Sequence, residues 1–363
     1  MHGRGVRFFP VVGWAERGDG RATGHGNSVP RFHITWGPGP GVVEPFERAC
    51  REAQVAGRLT ILGRHKVTGL VVTDGAVTGV RGCRLADDGA ERAVASSRDV
   101  VGDFEIAAGA VVVASGGVGA NLDLIRQYWP ERLGAMPRDV VVGVPAFVDG
   151  SMLPISEEAG ARIVNRDRMW HYTEGIANHS PVWPGHGIRI LPGPSSIWLD
   201  ADGNRLPAPC FPGFDTLGTL SHLRGTGADH SWFVLTRKVI EKEFALSGSE
   251  QNPDLTARSV PQVLGRVRKG APGPVQRFLD DGENFLQARS VAELVASMNA
   301  LVGSAGSTPT PCSGSSRPGI VNWSTTSARM RRSPRSVRRV ATGATVSSER
   351  WPRTASSIPP MGP

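Results

Sequence analysis

The chain has 363 residues, a formal net charge of +8 and an isoelectric point near 10.0. Its length allows a core that folds without disulfide or metal staples. Hydrophobic residues at 39% and charged residues at 20% exclude a membrane-embedded chain and a wholly disordered one. No apolar run has the length of a transmembrane helix, and no signal-peptide pattern opens the sequence. Cys50, Cys83, Cys210 and Cys312 are too scattered for a CxxC pair or a disulfide framework, which fits a reducing cytoplasm.

Met1–Val29 reads as glycine- and aromatic-rich loop. The segment from Arg31 to Gly41 then ends in a Gly/Pro turn directly before a helical pattern. Val42, Phe46, Ala49, Cys50 and Ala53 recur at spacings of three and four, which predicts one apolar helix face. A glycine-rich turn opening a helix can present N–H groups to an anion, or can be a plain loop-to-helix entry. Lys66–Thr73 and Ala76–Arg81, joined by Asp74-Gly75, predict a β-hairpin. Phe104–Ala114 predicts a further strand, whose apolar end Ala110–Ala114 is expected to be buried.

Ser115, Gly116 and Gly117 follow, then a helical stretch through Leu124, Ile125 and Tyr128. Strand, Gly-Gly, helix lets a cofactor approach the backbone, though a tight βα turn would need the same glycines. Val148-Asp-Gly150 leads into a helix expected to end at Ala159-Gly160. Loops rich in Trp, His and Pro come next, at Met169–Tyr172, Trp183–His186 and Leu191–Pro194. Such loops line ligand sites or pack rigidly between elements. Ser196–Leu199 predicts a short strand, Asp200–Gly203 a turn, and residues 275–303 one helical pattern through Phe278, Phe285, Val291, Leu294, Val295, Met298 and Leu301.

The charge is not evenly spread. Residues 304–363 hold nine Arg, no Lys or Asp, and Glu349 as the one acid, so this segment carries the entire net charge. It also holds 28 Ser, Thr and Pro and shows no helical or strand period, which predicts a disordered basic tail. Arg331-Arg332 and Arg338-Arg339 could neutralise phosphates, but the neutral body gives no electrostatic reason for nucleic acid. The tail has no amphipathic face for a lipid tether. Its composition is that of a GC-rich reading frame translated out of register. Among motifs with a mechanism, GxGxxG, the Walker loop, HExxH, GxSxG and a Cys/His metal cluster are all missing from these 363 residues, and no metal is expected.

Five segments taken together resemble one family. They are His33–Gly39 before a helix; Gly69–Gly75 with Val77–Val80; Ala108–Gly117; Val148–Gly150 with Ala159–Ala161; and Leu199–Leu206. Their order and spacing over residues 1–303 resemble the FAD-binding dehydrogenases of the fumarate reductase and 3-ketosteroid Δ1-dehydrogenase class. The resemblance implies an α/β flavoprotein with an α+β cap. It implies a partial FAD-binding domain over 1–145 that lacks the GxGxxG βαβ unit, an inserted cap or substrate domain over 146–303, and the tail over 304–363. On that reading the chain is an incomplete, N-terminally truncated and C-terminally frameshifted member that holds FAD weakly and is impaired as a dehydrogenase.

The resemblance also implies roles. Gly37, Gly39, Val67, Ala114, Ser115, Gly116 and Gly117 are placed near FAD. His33, Tyr172 and Arg205 are placed at the catalytic site, His33 against the substrate and Tyr172 as a proton-handling phenol. Leu206-Pro207 after Arg205 departs from the family's aromatic and carboxylate, which favours a bulky apolar ketone over a small dicarboxylate. The expected activity is FAD-dependent dehydrogenation of a CH–CH bond beside a carbonyl, with a steroid-like ketone as substrate and an unidentified electron acceptor. No nucleic-acid or membrane partner is expected. The alternatives are an inactive flavoprotein fragment and a basic-tailed nucleic-acid-binding protein.

Overall fold

The computed structural model describes residues 1–9, 34–91, 93–169, 171–266 and 270–303, and the backbone of 319–323. Strands β1 (Phe8–Phe9) and β2 (Ile34–Thr35) pair antiparallel, with Phe8 opposite Thr35. Helix α1 (Pro40–Val55) follows, opened by Pro40 where a missing N–H costs nothing. Its predicted apolar face is not covered: only Gly41 and Pro45 are buried, Phe46 is 43% exposed and Cys50 is exposed. The helix is held at its first turn, where Arg258 lies beside Gly41 and pairs with Glu44.

The predicted hairpin is present and gains a third strand. Strands β3 (His65–Thr73), β4 (Ala76–Leu85) and β5 (Val100–Ala107) form an antiparallel meander in that order. Asp74 at φ 51° and Gly75 at φ 78° make the turn, the backbone hand that matches the strand twist. The meander stops at Ala107, and the expected strand over Ala110–Ala114 does not form. Val112 is 89% exposed. A buried strand needs a neighbour to take its hydrogen bonds, and among the described residues none lies beside this run.

Helices α2 (Leu122–Gln127) and α3 (Met152–Glu158) stand where the sequence puts them. Beyond them the chain builds two sheets. Strands β6 (Gly175–Ala177) and β7 (Gly187–Leu191) pair antiparallel. Strand β8 (Ile197–Leu199) precedes helix α4 (Thr216–Gly225), strand β9 (Trp232–Thr236), helix α5 (Arg237–Lys242) and strand β10 (Ala245–Leu246). β10 adds to β7, giving the order β10-β7-β6. Helices α6 (Pro253–Thr256), α7 (Val260–Gly265) and α8 (Gly273–Asp281) come next.

The single helical pattern expected over 275–303 is divided. Helix α8 ends at Gly282, strand β11 (Phe285–Ala288) intervenes, and helix α9 (Val291–Gly303) resumes. Phe278 and Phe285 look helically spaced but face one core from a helix and a strand. A second correction concerns the supposed tail. Gly319–Trp323 forms strand β12, parallel to β11 and β9 and lying between them, with Ile320 opposite Phe285 and Phe233. Gly-Ile-Val-Asn-Trp is a short β-prone run. Five residues are too few to register as a period inside a Ser-, Pro- and Arg-rich segment. The other residues of 304–363 lie outside the described residues.

β8 closes this four-stranded sheet antiparallel to β9. Trp198, Phe233, Phe244, Phe278 and Phe285 pack with Ile176, Ile190, Leu235 and Ile240 into the main core. The molecule is thus a mixed helix and strand protein, as expected. Among the described residues no helix is long and apolar enough to cross a membrane.

Candidate functional site

The Ser115–Gly117 turn is held from below by a second glycine turn, Val148–Gly150. Ala120 N–H donates to the Val148 carbonyl at 2.9 Å. Asn121 does two jobs: its Oδ1 accepts from Leu124 N–H at 3.0 Å, capping α2, and its Nδ2 donates to the Asp149 carbonyl at 3.0 Å. Gly150 has φ +68°, and a Cβ there would stand 2.5 Å from a Val118 methyl. The two turns are therefore in van der Waals contact, and only glycine closes the gap.

Gly116, in contrast, faces open space. It has φ +86°, and a Cβ on it would meet nothing within 4 Å. From Gly109 to Gly119, through Ala114 and Ser115, no N–H donates to another backbone group among the described residues. N–H groups without a backbone acceptor on either side of a bare glycine are chemistry suited to a pyrophosphate or a ribose. Helix α3, which starts just after Gly150, packs on β3, the strand of Val67. Strand β3 and the chain just after Ser115–Gly117 thus both border the Val148–Gly150 segment and the helix it opens. Burial pushes the Asp149 carboxyl upward, but the Ser151 N–H and hydroxyl and the Lys66 charge outweigh it. The group ends below the usual carboxylate range.

Gly37 and Gly39 sit elsewhere and against protein. Gly37 N–H donates to the Leu255 carbonyl at 3.0 Å, and the Arg258 side chain covers its Cα. A Cβ on Gly39 would stand 3.2 Å from Ser249. Trp36 stacks on Phe9 at 5.0 Å and fixes the approach to this turn. His33 lies outside the described residues.

Tyr172 heads a third group. The Arg189 guanidinium stands 3.8 Å over its ring centroid, within cation–π range. Behind Arg189 lies Glu174, 1% exposed, with Oε2 at 3.7 Å from Arg189 Nε. Glu174 also accepts from Gly213 N–H and from the Thr173 hydroxyl, both at 3.3 Å. Burial pushes the Glu174 carboxyl up, against the opposing pull of Arg189 and the Gly213 N–H. Nearby in sequence, His171 tilts against Trp129 at 4.9 Å, and burial, then the Arg132 charge, pull it below the usual histidine range.

Arg205 is not brought to Tyr172 by any contact among the described residues. It is exposed and pairs with Leu199 across the Asp200–Gly203 turn, which Asp200 Oδ1 closes by accepting from Asp202 and Asn204 N–H. Sequence reasoning missed Glu174 and Arg189. A carboxylate beside a three-residue strand looks solvent-facing in sequence, and its partner is named only by the β6–β7 register that sets Gly175 opposite Arg189.

Two open clefts are found among the described residues. One of about 510 Å³ lies on the meander between Thr68, Arg81 and Phe104. The other, of about 450 Å³, lies between Tyr128, Arg132 and Asp167. Neither is lined by a residue singled out for cofactor or substrate. The described residues hold no cluster of His, Cys, Asp and Glu able to bind a metal ion.

An exposed glycine segment that follows an antiparallel meander is the setting in which the family comparison falls. The chain belongs to the FAD binding domain family, whose model matches residues 1–341. Its cofactor is accordingly FAD. The chain is 60% identical over 301 residues to a KsdD-like steroid dehydrogenase of Mycolicibacterium smegmatis, covering 83% of this chain and 54% of that protein. KsdD-like steroid dehydrogenases from two strains of Mycobacterium tuberculosis are 57% identical over 302 residues, covering 83% of this chain and 53% of theirs. The chain spans about half the length of the curated relatives it matches.

Proposed function

We propose that the protein is a cytoplasmic FAD-dependent dehydrogenase acting on a CH–CH bond next to the carbonyl of a steroid-like ketone. The observation that carries this reading is the 60% identity to a steroid dehydrogenase across most of the chain. On this proposal residues 1–145 serve the cofactor and residues 146–303 the substrate. The open Gly116 turn supports the first assignment. The apolar core gathered between Ile176 and Phe285 supports the second, because it gives the substrate side a rigid base.

Bound FAD would supply hydride acceptance from the carbon β to the carbonyl. The protein's own groups do the rest. The N–H groups of Ala114–Gly117 hold the dinucleotide, and Val67 lines its approach. Lys66 and the Ser151 N–H keep Asp149 ionised beneath the glycine turn, fixing that turn's shape. Tyr172 holds or moves the proton at the carbon α to the carbonyl, with its ring oriented by Arg189. His33 lies against the substrate. Gly37 and Gly39 act through the loop they shape. Arg205, exposed on its turn, is a group at the rim of the substrate side.

The test incubates the full chain with FAD, androst-4-ene-3,17-dione and phenazine methosulfate as electron acceptor, with product read by mass spectrometry. The expected result is FAD-dependent loss of two hydrogens from the steroid, abolished by Tyr172→Phe. Flavin bound to the chain with no such product would refute the proposal.

A further inference from the structure

Glu174 is an acid almost wholly removed from water, yet it is not built into the main core. It stands at the edge of the β6–β7 sheet, fixed by two independent backbone contacts. Its own carbonyl accepts from Ile190 N–H at 2.9 Å, and its carboxylate accepts from Gly213 N–H. The ladder sets the Arg189 backbone opposite Gly175. One face of the guanidinium lies over Tyr172, and its edge meets Glu174. The order is therefore anchored acid, bridging guanidinium, partly exposed phenol ring.

We propose that Glu174 is a positioning residue for Tyr172, acting through Arg189. The inference rests on the reading that Tyr172 meets the substrate. A tyrosine ring on a loop has free rotation about two bonds. A cation stacked 3.8 Å from its centroid removes much of that freedom, but only if the cation is itself fixed. Glu174 sets an opposite charge 3.7 Å from Arg189 Nε, and its burial keeps water from competing for the guanidinium. Arginine suits the middle, because a planar guanidinium offers a face to the ring and an edge to the carboxylate.

The chain has two tyrosines, so 3-fluorotyrosine labelling of the full chain gives two ¹⁹F signals. Tyr128→Phe assigns them, and Tyr128 serves as internal control because its own cation, Arg166 at 5.3 Å, belongs to a separate group. The expected result is that Glu174→Gln or Glu174→Ala shifts the Tyr172 signal toward its position in urea and leaves that of Tyr128 in place. Glu174→Gln keeps the volume and the acceptor for Gly213, so the fold survives in at least that variant. Arg189→Lys is expected to shift the same signal. A Tyr172 signal unmoved by both Glu174 variants overturns the positioning role. Adding androst-4-ene-3,17-dione to the unmutated chain tests the underlying reading separately. A shift of Tyr172 supports it, and no shift removes the functional purpose of the array even if the Glu174 variants behave as expected.

Discussion

Replacing Gly150 by alanine tests whether the Ser115–Gly117 segment, proposed to serve the cofactor, is held by the packing described above. Two costs are expected. The φ of +68° places a side chain in the left-handed region, at about 1–2 kcal/mol. The new methyl would also stand 2.5 Å from Val118 Cγ1 and 3.2 Å from Leu124 Cδ1, and such overpacking costs about 1–3 kcal/mol. The sum is about 2–5 kcal/mol. Gly203→Ala is the matched control. Its φ is +85°, but nothing lies within 4 Å, so only the first cost applies. Urea unfolding followed by tryptophan fluorescence should place Gly150→Ala below Gly203→Ala by about 1–3 kcal/mol. Because Val118 directly follows Gly117, FAD affinity, read by flavin fluorescence quenching, should fall in the first variant and hold in the second. Equal destabilisation by the two substitutions would show that the Val148–Gly150 turn does not press on the Ser115–Gly117 segment.

Other outcomes follow from single contacts. Phe278→Ala empties the centre of the main core, where the ring meets His179 at 4.6 Å and Phe285 at 5.6 Å, and should cost about 3–5 kcal/mol in urea unfolding. Asp254 is pushed up by burial, but the hydrogen bonds of Arg266 and its charge more than reverse this, so its folded value lies below that of an ordinary aspartate. The stability it contributes is present above that unfolded value and is lost as pH falls through the folded one. Asp254→Asn should therefore flatten the loss of melting temperature below about pH 4. In hydrogen exchange, amides 109–119 should exchange fast without FAD and gain protection when FAD is added, whereas those of β7 and β9 should be slow in both states.

Local chemistry was legible in the sequence, and pairing between distant segments was not. Asp74-Gly75 named its hairpin because the turn type depends on those two residues alone. Gly160 marked a helix end for the same reason. Ala110–Ala114 misled because an apolar run predicts a strand only where a neighbour accepts its hydrogen bonds, and no composition reports a neighbour. β12 escaped for the converse reason: its partners β9 and β11 lie 83 and 31 residues or more upstream, and its own five residues sit in a polar context. In the candidate site, Ser115–Gly117 was visible as a glycine signature. The Glu174–Arg189 pair was not, since it depends on a strand register.

The distribution of buried apolar surface bears on what the cofactor does for the fold. Among the described residues, the main core runs from Ile176 to Phe285, and before residue 170 the buried hydrophobic side chains are Val6, Leu85, Leu133 and Val142. On the same side Val43, Val55, Ile61, Leu62, Val100, Val101 and Val112 stand exposed. Burial of apolar area is the main favourable term in folding, so the segment proposed to serve the cofactor draws less of its stability from side-chain packing. It relies on the ladders of the meander and on the contacts between glycine turns. A ligand that binds only the folded form adds stability in proportion to the logarithm of its concentration over its dissociation constant. FAD seated on Gly116 would add that stability where packing supplies least. On the proposed assignment FAD would support the fold of residues 1–145 as well as serve the reaction, while residues 146–303 draw on their aromatic core.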